Sequence, residues 1–409
     1  MADMRASGIA ARYATEGFGI AHLPYASFSA AAIGPVLGVR IGDHVAPVAG
    51  ILPESSSVRS LVTGPGLDAL LAADRTAWDR LRAELQDALS SDAAAPRVEP
   101  LLHPVDDVRL HLPFTVADYV DFYGNEYHAS NVGRIFRPEQ PPLLANWKHL
   151  PVGYHGRAGT IVSSGTDIRR PHGLRPEPEG PPSFGPSRRL DIEAEMGFVL
   201  GAPVPSGRIP LGAADDHVFG LTLTNDWSAR DIQAYEYVPL GPNLGKSFAT
   251  TISPWVTPLS ALDAARVDPP TRDVPLADYL DDTKTAPWSF DIEFEVVLNG
   301  QSVSRPPFSS TYWTAAQMLA HMTVNGAALR AGDFFAGGTI SGPEKDQRGS
   351  FLELTWGGTE HLTLADGSEF TFLRDGDSVV LRATARAVDG TTVRLGDCAG
   401  RIVPHDPAD

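Results

Sequence analysis

The run DFYGNEYH (121–128) holds a carboxylate, a phenol and an imidazole within eight residues, at Asp121, Tyr123 and His128. Glu193, Glu195 and Asp226 follow downstream. Four hard oxygen ligands and one candidate base make up the equipment for metal-assisted attack by water.

Spacing alone leaves alternatives open. In a strand, Glu193 and Glu195 would share a face with backbones roughly 6.6 Å apart, from a rise of ~3.3 Å per residue. That suits two carboxylates on one cation and equally a solvated polar edge. The chain carries a second such pair, Glu293/Glu295, in FDIEFEVVL (290–298). The later pair runs into Asn299-Gly300, a hairpin signal beside which an exposed face is ordinary. The earlier pair precedes an apolar strand, 219–226, that ends in Asp226, so Glu193/Glu195 is the favoured site. His128 is one of 12 histidines, and a lone histidine is more often a hydrogen-bonded core or surface residue than a base.

The cations narrow the reading. Lysine occurs at only four positions, 148, 246, 284 and 345. Lys246 lies in GPNLGKSFATT, which has no other charge, so it is either directed inward or a loop lysine in water. Arg230 and Gln233 follow Asp226 in NDWSARDIQ. They read as a salt-bridged arginine and a capping amide, or, with Lys246, as stabilisers of developing negative charge.

A chain of 409 residues is too long for one ordinary core, which predicts two domains, at 1–113 and 114–409. Apolar content of 43% and charged content of 20% are normal for a soluble protein. No apolar run suits a membrane helix, and 18–39, interrupted by His22, Pro24 and Pro35, reads as strand and loop rather than a signal peptide. A formal charge of −17 argues against nucleic acid and anionic membrane as partners. The single cysteine, Cys398, precludes an internal disulfide and fits a cytoplasmic location.

The elements that must position these residues are mostly strands. Short β-like runs at 36–41 and 44–48 suggest a small barrel. A helix is predicted over 67–89, with Trp78, Leu81, Leu85 and Leu89 at helical spacing, and 90–96 reads as a connection. After 114, Pro and Gly become dense and 171–186 is extended or turning. Strands are predicted at 190–200, 218–224, 290–298, 301–303, 331–340, 350–356, 370–373 and 378–385, and a helix at 312–325. The class is mainly β (α+β).

The chain resembles the fumarylacetoacetate hydrolase family, in its long form with an N-terminal domain. The matching blocks are DFYGNEYHASNVGRIFR (121–137), NWKHLPVGYHGRAGTIV (146–162), RRLDIEAEMGFVLG (188–201), FGLTLTNDWSARDIQAYEYVPLGPNLGKSFATTISPW (219–255), GGTISGPE (337–344) and LEL (352–354). The resemblance implies an SH3-like N-terminal barrel, a C-terminal β-sandwich roll, and a homodimer. It implies that Asp121, Glu193, Glu195 and Asp226 are metal ligands, His128 the general base and Glu353 the carboxylate that orients it. Tyr123, Arg137, Tyr154, Gln233, Tyr237 and Thr339 match substrate-binding or site-adjacent positions, and Arg230, Gln233 and Lys246 match groups that stabilise the leaving carbanion. A second, magnesium site matches Asp226, Lys246 and Thr250, although Ala249 stands where the family has glycine.

The implied reaction is hydrolysis of the C–C bond of 4-fumarylacetoacetate, a small β-diketo dicarboxylate, to fumarate and acetoacetate in tyrosine and phenylalanine breakdown. Ca²⁺ or Mg²⁺ is the expected cofactor, since carboxylates without Cys or several His disfavour zinc. Arg137 offers a fork for a terminal carboxylate. Two rivals stand beside this reading: an acylpyruvate hydrolase or oxo-acid decarboxylase of the same superfamily, and a non-catalytic metal-binding protein on the same fold.

Overall fold

Alternation along the central strands sends side chains to two apolar destinations rather than to core and solvent. In the strand Ala194–Leu200 every position is buried. Phe198 joins one cluster with Phe335, Phe290 and Phe294, whereas Val199 joins another with Phe334, Phe219 and Trp78. The cross-strand register agrees, with Phe198 opposite Phe335 and Val199 opposite Phe334. A strand covered on both faces reads as a near-continuous apolar run. The computed structural model describes residues 7–31 and 33–405. The expected spans 1–113, 114–409 and 18–39 therefore include residues 1–6, 32 and 406–409, which lie outside the described residues.

The expected mainly β architecture is the one the chain adopts. An N-terminal five-stranded sheet runs in the order His103–Pro104, His44–Pro47, Ile33–Ile41, Tyr25–Ala30, Arg109–His111. The C-terminal part packs two sheets. The larger runs Gly153–His155, Asp118–Tyr123, Asp333–Gly338, Ala194–Leu200, Val218–Asp226, Thr250–Ile252, Ile161–Ser163. The other runs Gln301–Ser304, Ile292–Leu298, Ser378–Arg386, Cys398–Val403, Asp167–Arg169. The N-terminal part lies against the outer face of the larger sheet, where Leu71, Trp78 and Leu81 share a cluster with Val199, Phe219 and Phe334.

The helix predicted over 67–89 is two helices, Asp68–Leu71 and Arg75–Leu89. The break is chemical. Asp74 adopts extended backbone and its side chain accepts from Ala77 N at 3.0 Å, an N-cap worth ~1 kcal/mol. Trp78, Leu81, Leu85 and Leu89 are all buried, as their spacing predicts. The helix expected over 312–325 is Ala315–Thr323, opened by a Thr314/Gln317 capping box. The Asn299-Gly300 hairpin forms, with φ of 48° and 81°.

Two differences bear on the site. Residues 350–356, expected as a strand, form a helical turn Phe351–Leu354 followed by a 3₁₀ turn Trp356–Gly358. Ser350 caps the first turn by accepting from Glu353 N, which turns the chain away from extended geometry. The expected strand 190–200 is interrupted: Leu190–Asp191 pairs with Ser228–Ala229, and the sheet strand resumes at Ala194.

Candidate metal and catalytic site

Strand pairing gathers the acids at one end of the larger sheet. Asp121 lies on Asp118–Tyr123, whose parallel partner Asp333–Gly338 separates it from the strand bearing Glu195. Asp226 ends the next strand and pairs with Thr250. Glu193 sits in the interruption just before that sheet strand, so it is not part of a regular period-2 pair with Glu195. Its N–H instead donates to Asn225 Oδ1 (3.2 Å) and its carbonyl accepts from Asp226 N (3.2 Å). Glycine at 338 allows the close approach of Glu195, because a Cβ there would stand 2.8 Å from Glu195 Cγ and Oε1.

Ligand atoms of Asp121, Glu193 and Asp226 lie within 4.8 Å of one another, and all three side chains are buried. The duplicate Glu293/Glu295 lies on the other sheet. There Glu295 pairs with Arg305 (2.6 Å) and Arg382 (3.8 Å), and Glu293 is exposed. Tyr154 Oη is 2.8 Å from Asp121 Oδ2 and 2.9 Å from Asp226 Oδ2. Thr250 Oγ1 donates to Asp226 Oδ1 at 3.1 Å. Lys246 points inward, its Nζ bonded to Glu193 Oε2 and to Asp226 Oδ2 (2.6 Å). A cavity of about 360 Å³ lined by Tyr154, Asp226, Lys246 and Thr250 reaches this cluster.

The electrostatics divide the acids. Burial would raise the Glu193 carboxyl, but the charges of Lys246, Arg230 and His128 pull it well below the usual carboxylate range. Burial, reinforced by Asp226, raises Asp121 well above that range; burial with Asp121 and Glu193 does the same to Glu195. Glu195 Oε2 is buried and has no hydrogen-bond partner among the described residues. Glu195, expected as a fourth ligand, is not among the three acids whose ligand atoms converge, but it is buried and feels the charges of all three. An orphaned buried carboxylate oxygen next to an all-oxygen donor set fits a hard divalent cation, whose charge would let Asp121 and Glu195 ionise. The acidic triad can therefore hold a metal ion.

His128 reaches the cluster from a helix that the sequence patterns did not suggest, Glu126–Phe136. After the strand Asp118–Tyr123, Asn125 is the fully buried N-cap. It accepts from His128 N at 3.0 Å and donates to Ser341 O at 3.0 Å. His128 Nδ1 lies 2.6 Å from Glu353 Oε2, and Nε2 lies 3.7 Å from Glu193 Oε1. Glu353, on the Phe351–Leu354 turn, also accepts from Ser341 Oγ (2.9 Å), Ser350 Oγ (2.8 Å) and Asn131 Nδ2 (3.0 Å). Burial would raise this carboxyl, yet the charge of His128 and these hydrogen bonds hold it below its ordinary value.

Arg230, on the helix Arg230–Glu236, donates from Nε to Asp191 Oδ2 (2.8 Å) and from Nη1 to Glu193 Oε1 (2.6 Å) and Gln233 Oε1 (3.1 Å). Tyr123 packs its ring edge-on to His128 at 5.3 Å. Thr339 is buried next to Gly338, and its Oγ1 has no partner among the described residues. Arg137 and Tyr237 cap the C-terminal ends of the helices bearing His128 and Arg230 respectively, both half-buried. Arg137 donates to Pro142 O at 3.4 Å. The residues that sequence reasoning missed are Asp191, Asn131, Ser341 and Ser350. Asp191 carried a usable signal, since it continues the same D-x-E-x-E spacing as Glu193 and Glu195.

Comparison with known proteins agrees along most of the chain. Residues 119–403 match the family described as Fumarylacetoacetate (FAA) hydrolase C-terminal, and residues 21–113 match Fumarylacetoacetase N-terminal. Rattus norvegicus fumarylacetoacetase is 44% identical, with 95% of this chain and 96% of the rat protein covered. Among solved structures, the fumarylacetoacetate hydrolase of Exiguobacterium antarcticum superposes with a TM-score of 0.53 at 14% identity, covering 94% of this chain and 100% of its own. Maleylpyruvate hydrolase from Sphingobium sp. SYK-6, solved with manganese(II) and pyruvate, gives 0.50 at 15%, covering 94% and 100%. At such identities the likeness is one of fold.

Proposed function

The chain belongs to the fumarylacetoacetate hydrolase family, and from that premise we propose that it hydrolyses fumarylacetoacetate to fumarate and acetoacetate, the last step of tyrosine and phenylalanine breakdown. The observation that carries this reading is the buried His128–Glu353 pair, whose free Nε2 faces the acidic cluster.

An ionised Glu353 can only accept, so in the neutral imidazole the proton sits on His128 Nδ1 and Nε2 is able to take one from water. The hydroxide so formed adds to the carbonyl beside the fumaryl double bond. Glu353 stabilises the imidazolium, as the acid does in other acid–histidine pairs. The bond to the neighbouring CH₂ then breaks, and its electron pair leaves with the acetoacetate half as an enolate. Lys246 and Arg230 stabilise that charge. Gln233, whose Oε1 accepts from Arg230, offers its amide N–H groups to assist. The imidazolium returns its proton to the leaving carbon. Arg137 supplies the fork for a terminal carboxylate, and Tyr123, Tyr154, Tyr237 and Thr339 line the substrate.

Asp121, Glu193, Glu195 and Asp226 would hold Ca²⁺ or Mg²⁺, which supplies positive charge to polarise the diketone. Asp226 and Thr250 would hold a second, Mg²⁺ ion, with Lys246 alongside; Lys246 as an ammonium would contribute position rather than a ligand atom from Nζ. We read the protein as a cytoplasmic homodimer. The buried free Cys398 is in keeping with a reducing compartment, and the homodimer is what the family resemblance implies. Among the described residues, no helix is long and apolar enough to cross a membrane.

The test is relative turnover of fumarylacetoacetate and acylpyruvates by the purified, metal-loaded protein. The proposal expects the diketo dicarboxylate to be preferred. Preference for an acylpyruvate by ~100-fold in kcat/KM, about 2.7 kcal/mol, overturns it.

A further inference from the structure

Asp191 is not one of the converging acids, yet it joins two of the groups that the proposed reaction uses. It is fully buried. Oδ1 accepts from Phe351 N (2.7 Å) and Ile192 N (2.8 Å); Oδ2 accepts from Leu352 N (3.0 Å) and Arg230 Nε (2.8 Å). Phe351 and Leu352 open the turn that carries Glu353. Along the chain, Asp191 is two residues from Glu193, which takes the same guanidinium at Nη1. With Nε and Nη1 so engaged, Arg230 Nη2 is buried and has no partner among the described residues.

We propose that Asp191 is a positioning residue that holds the Arg230 guanidinium and the Glu353 turn in one frame, so that an unengaged Arg230 N–H faces the leaving group while Glu353 faces His128. This rests on the roles given above to Arg230 and Glu353. A carboxylate suits the position because two oxygens receive four N–H donors. An asparagine offers one oxygen, and its amide N–H groups would confront the donors at Leu352 and Arg230. The cost falls on the orientation of groups that act in the transition state, and therefore on kcat rather than KM.

The experiment is a double-mutant cycle on the metal-loaded full chain, with Asp191→Asn and Arg230→Lys singly and together. Circular dichroism and cation titration are run on each variant to confirm folding. Asp191→Asn is expected to lower kcat by about 100-fold with KM changed less than about threefold. In the Arg230→Lys background the Asp191→Asn penalty is expected to shrink at least fivefold, because its partner is already lost. An equal penalty in both backgrounds, or a loss expressed in KM, overturns the positioning role. Should Asp191→Asn not fold, Asp191→Glu, which keeps the charge but displaces it by a methylene, is read by the same cycle. A wild-type protein that does not cleave fumarylacetoacetate defeats the functional reading itself, which is a different result from an active wild type with additive variants.

Discussion

His128 Nδ1 and Glu353 Oε2 stand 2.6 Å apart, with both side chains essentially out of contact with solvent, across 225 residues of sequence. The pair fixes which imidazole nitrogen is free to accept a proton. Replacing His128 with Ala is expected to lower kcat by about 10³-fold or more, and Glu353→Gln by about 10²-fold, while Ca²⁺ or Mg²⁺ still binds. Steady-state kinetics beside calorimetric cation titration checks this; near-normal kcat in His128→Ala would rule out the base assignment.

The orphaned Glu195 oxygen makes a prediction about the metal. EDTA is expected to abolish turnover and Ca²⁺ or Mg²⁺ to restore it. Cation at 100 times its Kd should stabilise the wild type by about 2.7 kcal/mol. Glu195→Gln and Glu193→Gln should weaken cation affinity by at least about tenfold, ~1.4 kcal/mol. Glu293→Gln should not, because that carboxylate lies on the other sheet and is exposed. Equal effects at Glu195 and Glu293 in a titration would contradict the site.

Much of this site could be read from the chain because its acids fall near strand ends in motif-dense blocks. Glu193 and Glu293 looked alike because local pattern does not record which sheet a strand joins. The turn at 351–354 was misread as strand because Ser350 and Asp191, which cap it, act through hydrogen bonds that hydropathy does not register. Likewise, the helix that carries His128 was not read from hydropathy, although Asn125, its N-cap, was a usable signal.

His22 gives a pH-dependent test of the contact between the two parts of the chain. Its Nδ1 is 2.8 Å from Gly17 O and its Nε2 2.9 Å from Thr257 Oγ1. Burial pushes its pKa down to about 3 from 6.5. Above pH 6.5 it is neutral in folded and unfolded chains alike. As pH falls from 6.5 towards 3, only the unfolded chain takes up the proton, so stability declines by roughly 1.4 kcal/mol per pH unit. The stability advantage of wild type over His22→Gln, measured by denaturant unfolding, should therefore shrink between pH 7 and pH 5. A constant difference would show that His22 titrates normally.

Trp78 ties the N-terminal helix Arg75–Leu89 to the sheet that carries the site. Its Nε1 donates to Leu70 O (2.8 Å) and its ring meets Phe219 edge-on at 5.3 Å. Trp78→Ala should lower unfolding free energy by about 3–5 kcal/mol, read by chemical denaturation. A loss under ~1 kcal/mol would mean that the two parts do not share this core.

The most direct test of the account is to run the cleavage in ¹⁸O-labelled water and analyse both products by mass spectrometry. Attack by a water that His128 deprotonates, at the carbonyl beside the double bond, predicts one labelled oxygen in the new carboxylate of fumarate and none in the carboxylate of acetoacetate. Fumarate without label, or cleavage into acids other than fumarate and acetoacetate, would contradict it.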